Sequence, residues 1–277
     1  MSNLPTVCSF WHGPMSWLER LCITSFVTQG HQFDLYSYER PDDLPDGCNW
    51  CDAAQILPPE GIFFYKGNRS PAVFADYFRL MLMTREAGVW VDCDMLCVRG
   101  FSDLPPYVFG YEVPPGRGPH AGQINNAVLR LPKDSALLNA LLNIFNGDTA
   151  RMDPVWMPPY RRAEIRVRRL LGQKVGLTHM QFGATGPFPL TYFARKLGKD
   201  DQALGVSVFY PVPYTEAATL LEAGSSLVPY LQAETLAVHL WRMALTGRGH
   251  RTEPRLPSPD SALGQIAKRL DLKVAAL

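Results

Sequence analysis

Residues 88–96 read GVWVDCDML, and the fold turns on how that stretch is placed. Val89, Trp90 and Val91 have the composition of a buried strand, and Asp92 and Asp94 follow at its end. Two carboxylates so close repel one another, and neither is stable in apolar surroundings without a partner. If the strand conformation extends through them, its two-residue period turns both aspartates to one face and Cys93 to the other. Two converging carboxylates suit a hard divalent cation, Mg²⁺ or Mn²⁺, whose shell is completed by substrate phosphates. A solvated turn after the strand is the alternative, and a bare Asp-x-Asp does not choose between them.

Upstream, PAVFADYFRLMLMTREAG (71–88) has apolar residues at helical spacing, with Pro71 at its start and Gly88 at its end. A helix therefore runs into a strand whose carboxyl end carries the acidic pair, where open α/β sheets bind their ligands. The N-terminal region alternates in the same way. TVCSF (6–10) reads as a strand, 15–30 as a helix stopped by Gly30, and FDLYSY (33–38) as a second strand. A strand–helix–strand unit favours parallel pairing and a right-handed crossover. A loop rich in Asp, Pro and Gly is expected over 40–53. Residues 107–112, 125–131, 206–211 and 235–240 read as strands. Residues 135–145 and 160–174 read as helices, and 183–198 as a Gly/Pro turn entering another. The expectation is one α/β domain over 1–250 with a peripheral, Pro-punctuated tail over 251–277.

Composition narrows the function. Of 277 residues, 47% are hydrophobic and 19% charged, the balance of a well-cored globular chain. A net charge of +1 gives no field that would attract nucleic acid. The N-terminus lacks a basic stretch followed by an apolar one, and no apolar run has the length of a membrane span, so a cytoplasmic location is expected. The six cysteines (8, 22, 48, 51, 93 and 97) are then expected as thiols. CNWC (48–51) has metal or redox spacing, but no second pair completes a zinc site and its surroundings are turn-like.

Asp76 and Arg79 lie one turn apart on one helix face, and the arginine could pair with the aspartates or grip phosphate. The stretch FADYFRLMLMTREAGVWVDCDMLCVR (74–99) resembles the signature of the DxD-containing retaining glycosyltransferases. That family includes α-1,6-mannosyltransferases, α-1,4-galactosyltransferases and bacterial capsular and lipopolysaccharide sugar transferases, the glycosyltransferase family 32-like enzymes. Asp76, Arg79, Gly88, Trp90, Asp92 and Asp94 match its pattern in order, and Ala87 departs from it where a first glycine is usual. SFWHG (9–13), INNAVLRLPKDSALL (124–138), ATGPFPLTYF (184–193) and AVHLW (237–241) resemble its first strand, its Asn-Ala strand, its Thr-Gly-Pro turn and its late His strand.

The resemblance implies a GT-A fold with a mostly parallel central sheet flanked by helices. It implies metal-dependent transfer of a sugar, with retention, from a nucleotide-diphosphate donor to a hydroxyl of a glycan or lipid-linked acceptor, as in polysaccharide or lipopolysaccharide biosynthesis. A UDP-hexose is the expected donor ahead of GDP-mannose. Asp92 and Asp94 would be metal ligands and catalytic essentials, His239 a third ligand, and Mn²⁺ (or Mg²⁺) the ion. Asn126 would contact the sugar, and Phe10, Trp11, Asp76, Arg79, Asp92, Thr185 and Gly186 would bind the donor. No protein nucleophile is implied. Each residue also has a plain structural reading: a core histidine, core aromatics, a strand-bridging amide, a turn.

Two rival functions remain. Haloacid-dehalogenase-like phosphatases also carry Asp-x-Asp after an apolar strand, but Leu96 stands where they have Thr or Val. A non-catalytic sugar-nucleotide or carbohydrate-binding module could keep the same fold. The helix Arg161–Arg169 carries five arginines against Glu164, so it is either a solvated face or a peripheral contact with an anionic membrane or an acidic acceptor.

Overall fold

The computed structural model describes residues 4–64, 70–118, 120–246 and 253–274. Residues 1–3 of the N-terminal stretch, and 251–252 and 275–277 of the expected tail, lie outside the described residues. The chain opens with β1 (Val7–Phe10), α1 (Trp17–Thr28), β2 (Phe33–Ser37) and β3 (Cys48–Asp52). It continues through α2 (Ala72–Thr84), β4 (Val89–Val91), β5 (Met95–Cys97), β6 (Val108–Tyr111) and β7 (Ile124–Arg130). Helices α3 (Ala136–Leu142), α4 (Pro159–Leu170), α5 (Pro187–Lys196) and α6 (Val206–Phe209) follow, then β8 (Ala237–His239), α7 (Arg242–Thr246) and α8 (Ala262–Arg269). The result is a mixed α/β structure. Two units emerge, each assembled from separate stretches. Met1–Asp52, Gly88–Leu104 and Gly205–Leu277 form the first, and Ala53–Ala87 with Pro105–Leu204 the second.

In the first unit, β3, β2, β1 and β4 lie side by side, all parallel, with Val7 opposite Phe33 on one side and Val89 on the other. Every residue of β1 and β4 is buried, as suits parallel strands covered on both faces. The α1 crossover starts at a capping box: Leu18 N–H donates to Ser16 Oγ at 3.2 Å, and Ser16 N–H donates to Glu19 Oε2 at 2.7 Å. Gly88 admits the chain to β4. Its φ is +135°, and a Cβ there would lie 2.3 Å from the Thr6 carbonyl oxygen, which accepts the Val89 N–H at 2.9 Å. Strands β5 and β8 form a separate antiparallel ribbon.

Three expectations change here. Residues 48–52 are a strand, β3, and not part of a loop; its residues are all at least partly exposed, so it has no apolar signature. Cys48 and Cys51 sit three apart on this strand and so point to opposite faces, and burial raises both thiols, Cys48 to about 12. They are two separate protonated thiols. VSVFYP (206–211) forms the short helix α6, which buries Val208 and Phe209; packing overrides its strand-like alternation. The tail is not peripheral: Ala262, Leu263 and Ala267 of α8 share a core with Trp17, Leu18, Leu21, Leu96, Val238 and Leu240.

In the second unit, β6 and β7 are antiparallel, with a register shift between Val108 and Gly110. Helix α5 is fixed to β7 where the Ile124 N–H donates to Thr191 Oγ1 at 2.9 Å. Trp156 donates its indole N–H to the Ala184 carbonyl at 2.7 Å. Among the described residues, no helix is long and apolar enough to cross a membrane.

Candidate metal centre

Strand β4 ends at Val91, so Asp92 and Asp94 stand in a turn and not in continued strand. Met95 N–H closes that turn on the Asp92 carbonyl at 3.0 Å. The carboxylates still converge, through turn geometry and the strand that follows. Pairing of β5 with β8 sets Met95 opposite His239 and brings His239 Nε2 to 3.2 Å from Asp94 Oδ1. One ligand atom each from Asp92, Asp94 and His239 lies within 4.8 Å of the others. Two carboxylate oxygens and one imidazole nitrogen at that spacing could hold a divalent metal ion.

Neighbouring groups orient these ligands. Trp90 Nε1–H donates to Asp92 Oδ1 at 2.7 Å. The Arg242 backbone N–H donates to Asp94 Oδ2 at 2.8 Å, and Leu240 N–H donates to the Asp94 carbonyl at 2.9 Å. Reaching that geometry puts Trp241 at φ +54°, the left-handed region that costs a non-glycine residue energy. Its indole N–H is anchored on the Val212 carbonyl at 2.8 Å, and its ring lies 4.0 Å from that of His239. Burial works to raise the Asp94 carboxyl, but the facing His239 imidazole and the Arg242 N–H outweigh it and hold Asp94 below the usual carboxylate range.

Two residues of the centre escape a sequence reading. Glu19, fully buried, accepts the Arg242 Nε–H at 2.7 Å, and the Arg242 guanidinium lies 5.8 Å from the centre of the Trp11 ring. The pair is separated by 223 residues. Glu19 advertises itself only as the third residue of a capped helix, and Arg242 as one of many arginines. Phe10 ends β1, and Trp11 follows it, at the carboxyl end of the sheet where β4 delivers Asp92. Phe10 is buried against Tyr38, with ring centres 6.0 Å apart, and Trp11 is half-buried.

The second unit gathers the other predicted residues. Asp76 Oδ1 accepts the Asn126 amide at 2.9 Å, and Asp76 Oδ2 accepts the Thr185 hydroxyl at 2.6 Å. Arg79 lies 3.3 Å from Asp76 Oδ1 and donates to the Asn126 carbonyl at 2.5 Å. Gly186 packs on this network: a Cβ would come within 2.8 Å of Asn126 Nδ2 and 2.9 Å of Asp76 Oδ1. The same unit holds an open cavity of about 710 Å³ lined by Trp156, Tyr160, Phe188 and Tyr192, with His120 and Lys196 among its polar groups.

No family model matches the chain, and no curated protein matches it. A solved structure does. The chain is similar to one described as PaToxG Glycosyltransferase, at 14% sequence identity and a TM-score of 0.42, over 70% of this chain and 71% of that one.

Proposed function

We propose that the protein is a retaining, metal-dependent glycosyltransferase that moves a hexose from a nucleotide-diphosphate donor to a hydroxyl of a glycan or lipid-linked acceptor. The observation that carries this reading is the Asp92–Asp94–His239 cluster beside the carboxyl edge of a parallel sheet, the position at which open α/β sheets receive ligands. Asp92, Asp94 and His239 would hold Mn²⁺ or Mg²⁺, which when bound supplies charge neutralisation for the departing diphosphate. Asp94, held below the usual carboxylate range, offers its lone pairs without a proton to displace, and Asp92 is oriented by Trp90. Arg242, braced by Glu19, adds a fixed cation beside them. In this proposal Phe10 and Trp11 receive the nucleobase, UDP ahead of GDP. From the family resemblance alone, Asp76, Arg79, Thr185 and Gly186 are proposed as donor-binding residues and Asn126 as the sugar contact. The aromatic cavity, with no carboxylate in its lining, suits the acceptor.

Release of nucleoside diphosphate from UDP-glucose, UDP-galactose, UDP-N-acetylglucosamine and GDP-mannose tests the reading. Mn²⁺-dependent release from one donor, abolished in Asp94→Ala, is expected. Phosphate release from p-nitrophenyl phosphate in its place would make the protein a phosphatase. Neither activity, with nucleotide still bound, would make it a binding module.

A further inference from the structure

Helix α4 is apolar on the wrong side. Its one buried residue is Ile165. At 100° per residue, Arg169 and Arg162 share the inward side with it. They tie the helix down: Arg169 donates to the carbonyls of Met152 and Val175, both at 2.7 Å, and Arg162 to Asp153 at 2.6 Å. The opposite side of such a helix is ordinarily polar. Here it carries Tyr160, Ala163, Val167 and Leu170, spaced at three or four residues, and, just past the helix end, Leu171, four after Val167. Tyr160 is 66% exposed, Val167 55%, Leu170 86% and Leu171 73%. Single exposed apolar residues need no explanation, but a continuous stripe along one helix face does.

The stripe is flanked by cations. Glu164, paired with Arg161 and Arg168 just beyond it, borders it on one side and Arg166 on the other, by the same helical geometry. Away from the inward side, Arg161, Arg166, Arg168 and Lys174 stand against Glu164, with Asp153 shared by Arg162 and Arg166, which leaves the rim net positive. A second copy docked through the same stripe about a two-fold axis would set two such basic rims against each other. A lipid surface with acidic headgroups does the reverse. It takes the stripe into the acyl boundary while the arginine stems lie along it and the guanidinium groups stay among phosphates.

We infer that the outer face of α4 is a membrane-surface contact, lying in the plane of an anionic bilayer through Tyr160, Val167, Leu170 and Leu171. The stripe is independent of the metal centre, and the inference stands whatever reaction that centre performs.

Co-sedimentation with vesicles of phosphatidylcholine alone, or of phosphatidylcholine mixed with phosphatidylglycerol, tests it. The protein should partition onto the anionic vesicles at least about tenfold more strongly than onto the neutral ones. Leu170→Gln with Leu171→Gln should lower that partitioning at least about tenfold, and Arg168→Glu should also weaken it. Both leucines are exposed, so the melting temperature of the double variant should match the parent, which separates lost docking from lost folding. Failure to bind anionic vesicles would overturn the inference, as would binding that the leucine variant leaves unchanged. A dimer by light scattering that becomes a monomer in the leucine variant would assign the stripe to a second copy instead.

Discussion

Asp76 offers a measurable handle on the second unit's buried network. It is 7% exposed, and its three partners Asn126, Arg79 and Thr185 are 8%, 5% and 3% exposed. Asp76→Ala removes the carboxylate on which a hydroxyl, an amide and a guanidinium converge. Truncating one member of a buried ion pair costs about 3–5 kcal/mol, because the remaining charge is left uncompensated. Thr185→Val removes only one hydrogen bond to a charged group, at 2.6 Å, and should cost roughly 1.5–3 kcal/mol. The two losses are not independent. Once Asp76 is gone, the Thr185 hydroxyl has no carboxylate to lose, so the double variant should be scarcely less stable than Asp76→Ala alone.

Urea unfolding read at Trp156 makes the assay local. That indole belongs to the second unit, and its N–H donates to the carbonyl of Ala184, next to Thr185. With fluorotryptophan incorporated, its ¹⁹F resonance reports the second unit by itself. A cost below about 1 kcal/mol for Asp76→Ala, the value of an exposed pair, would refute the reasoning. So would strict additivity of the two substitutions.

Two further predictions concern the first unit. Gly88→Ala should destabilise by more than about 2 kcal/mol, since its φ of +135° and the Thr6 carbonyl 2.3 Å from the new Cβ both oppose it. Gly205→Ala, whose new Cβ would meet nothing closer than Ser207 Oγ at 3.8 Å, should stay within about 0.5 kcal/mol of the parent in the same denaturation series, and equal costs would count against this reasoning. Burial lowers the His31 pKa; its Nδ1 lies 2.8 Å from the Pro5 carbonyl, and its Nε2 accepts the Phe101 N–H at 2.9 Å. The unfolded chain therefore takes up a proton below about pH 6.5 that the folded one refuses, so stability falls as pH drops through that value, by at most about 1.4 kcal/mol per pH unit. The fall levels off below the folded-state pKa. His31→Gln should flatten this part of the stability–pH curve, and an unchanged slope would clear His31 of the effect.

What was legible in the sequence were the segments whose pattern is set by their own neighbours. The buried run VCSF, the capped helix after it and the long apolar helix before Gly88 each carry local signals that tertiary packing reinforces. The acidic pair was legible because two aspartates at the end of an apolar run demand a partner. Their local conformation stayed open, since nothing in DCD says that a turn begins at Asp92 and that a three-residue strand, β5, follows it. That short strand matters most, because its pairing with β8 is what brings His239 to Asp94. Edge strand β3 stayed hidden because its residues, CNWCD, show no regular apolar alternation and are all at least partly exposed. Strand-like VSVFYP became a helix because burying Val208 and Phe209 there outweighed its propensity. The Glu19–Arg242 pair, joined across most of the chain, has no local signature at all.

The central claim is that Asp92, Asp94 and His239 hold a metal ion to which a nucleoside diphosphate binds. Calorimetric titration of UDP into the protein, in Mn²⁺ and then in chelator, repeated on Asp94→Ala, tests it most directly. The account predicts binding that requires Mn²⁺ and disappears in the variant. Equal binding in chelator, or binding that Asp94→Ala leaves intact, would contradict it.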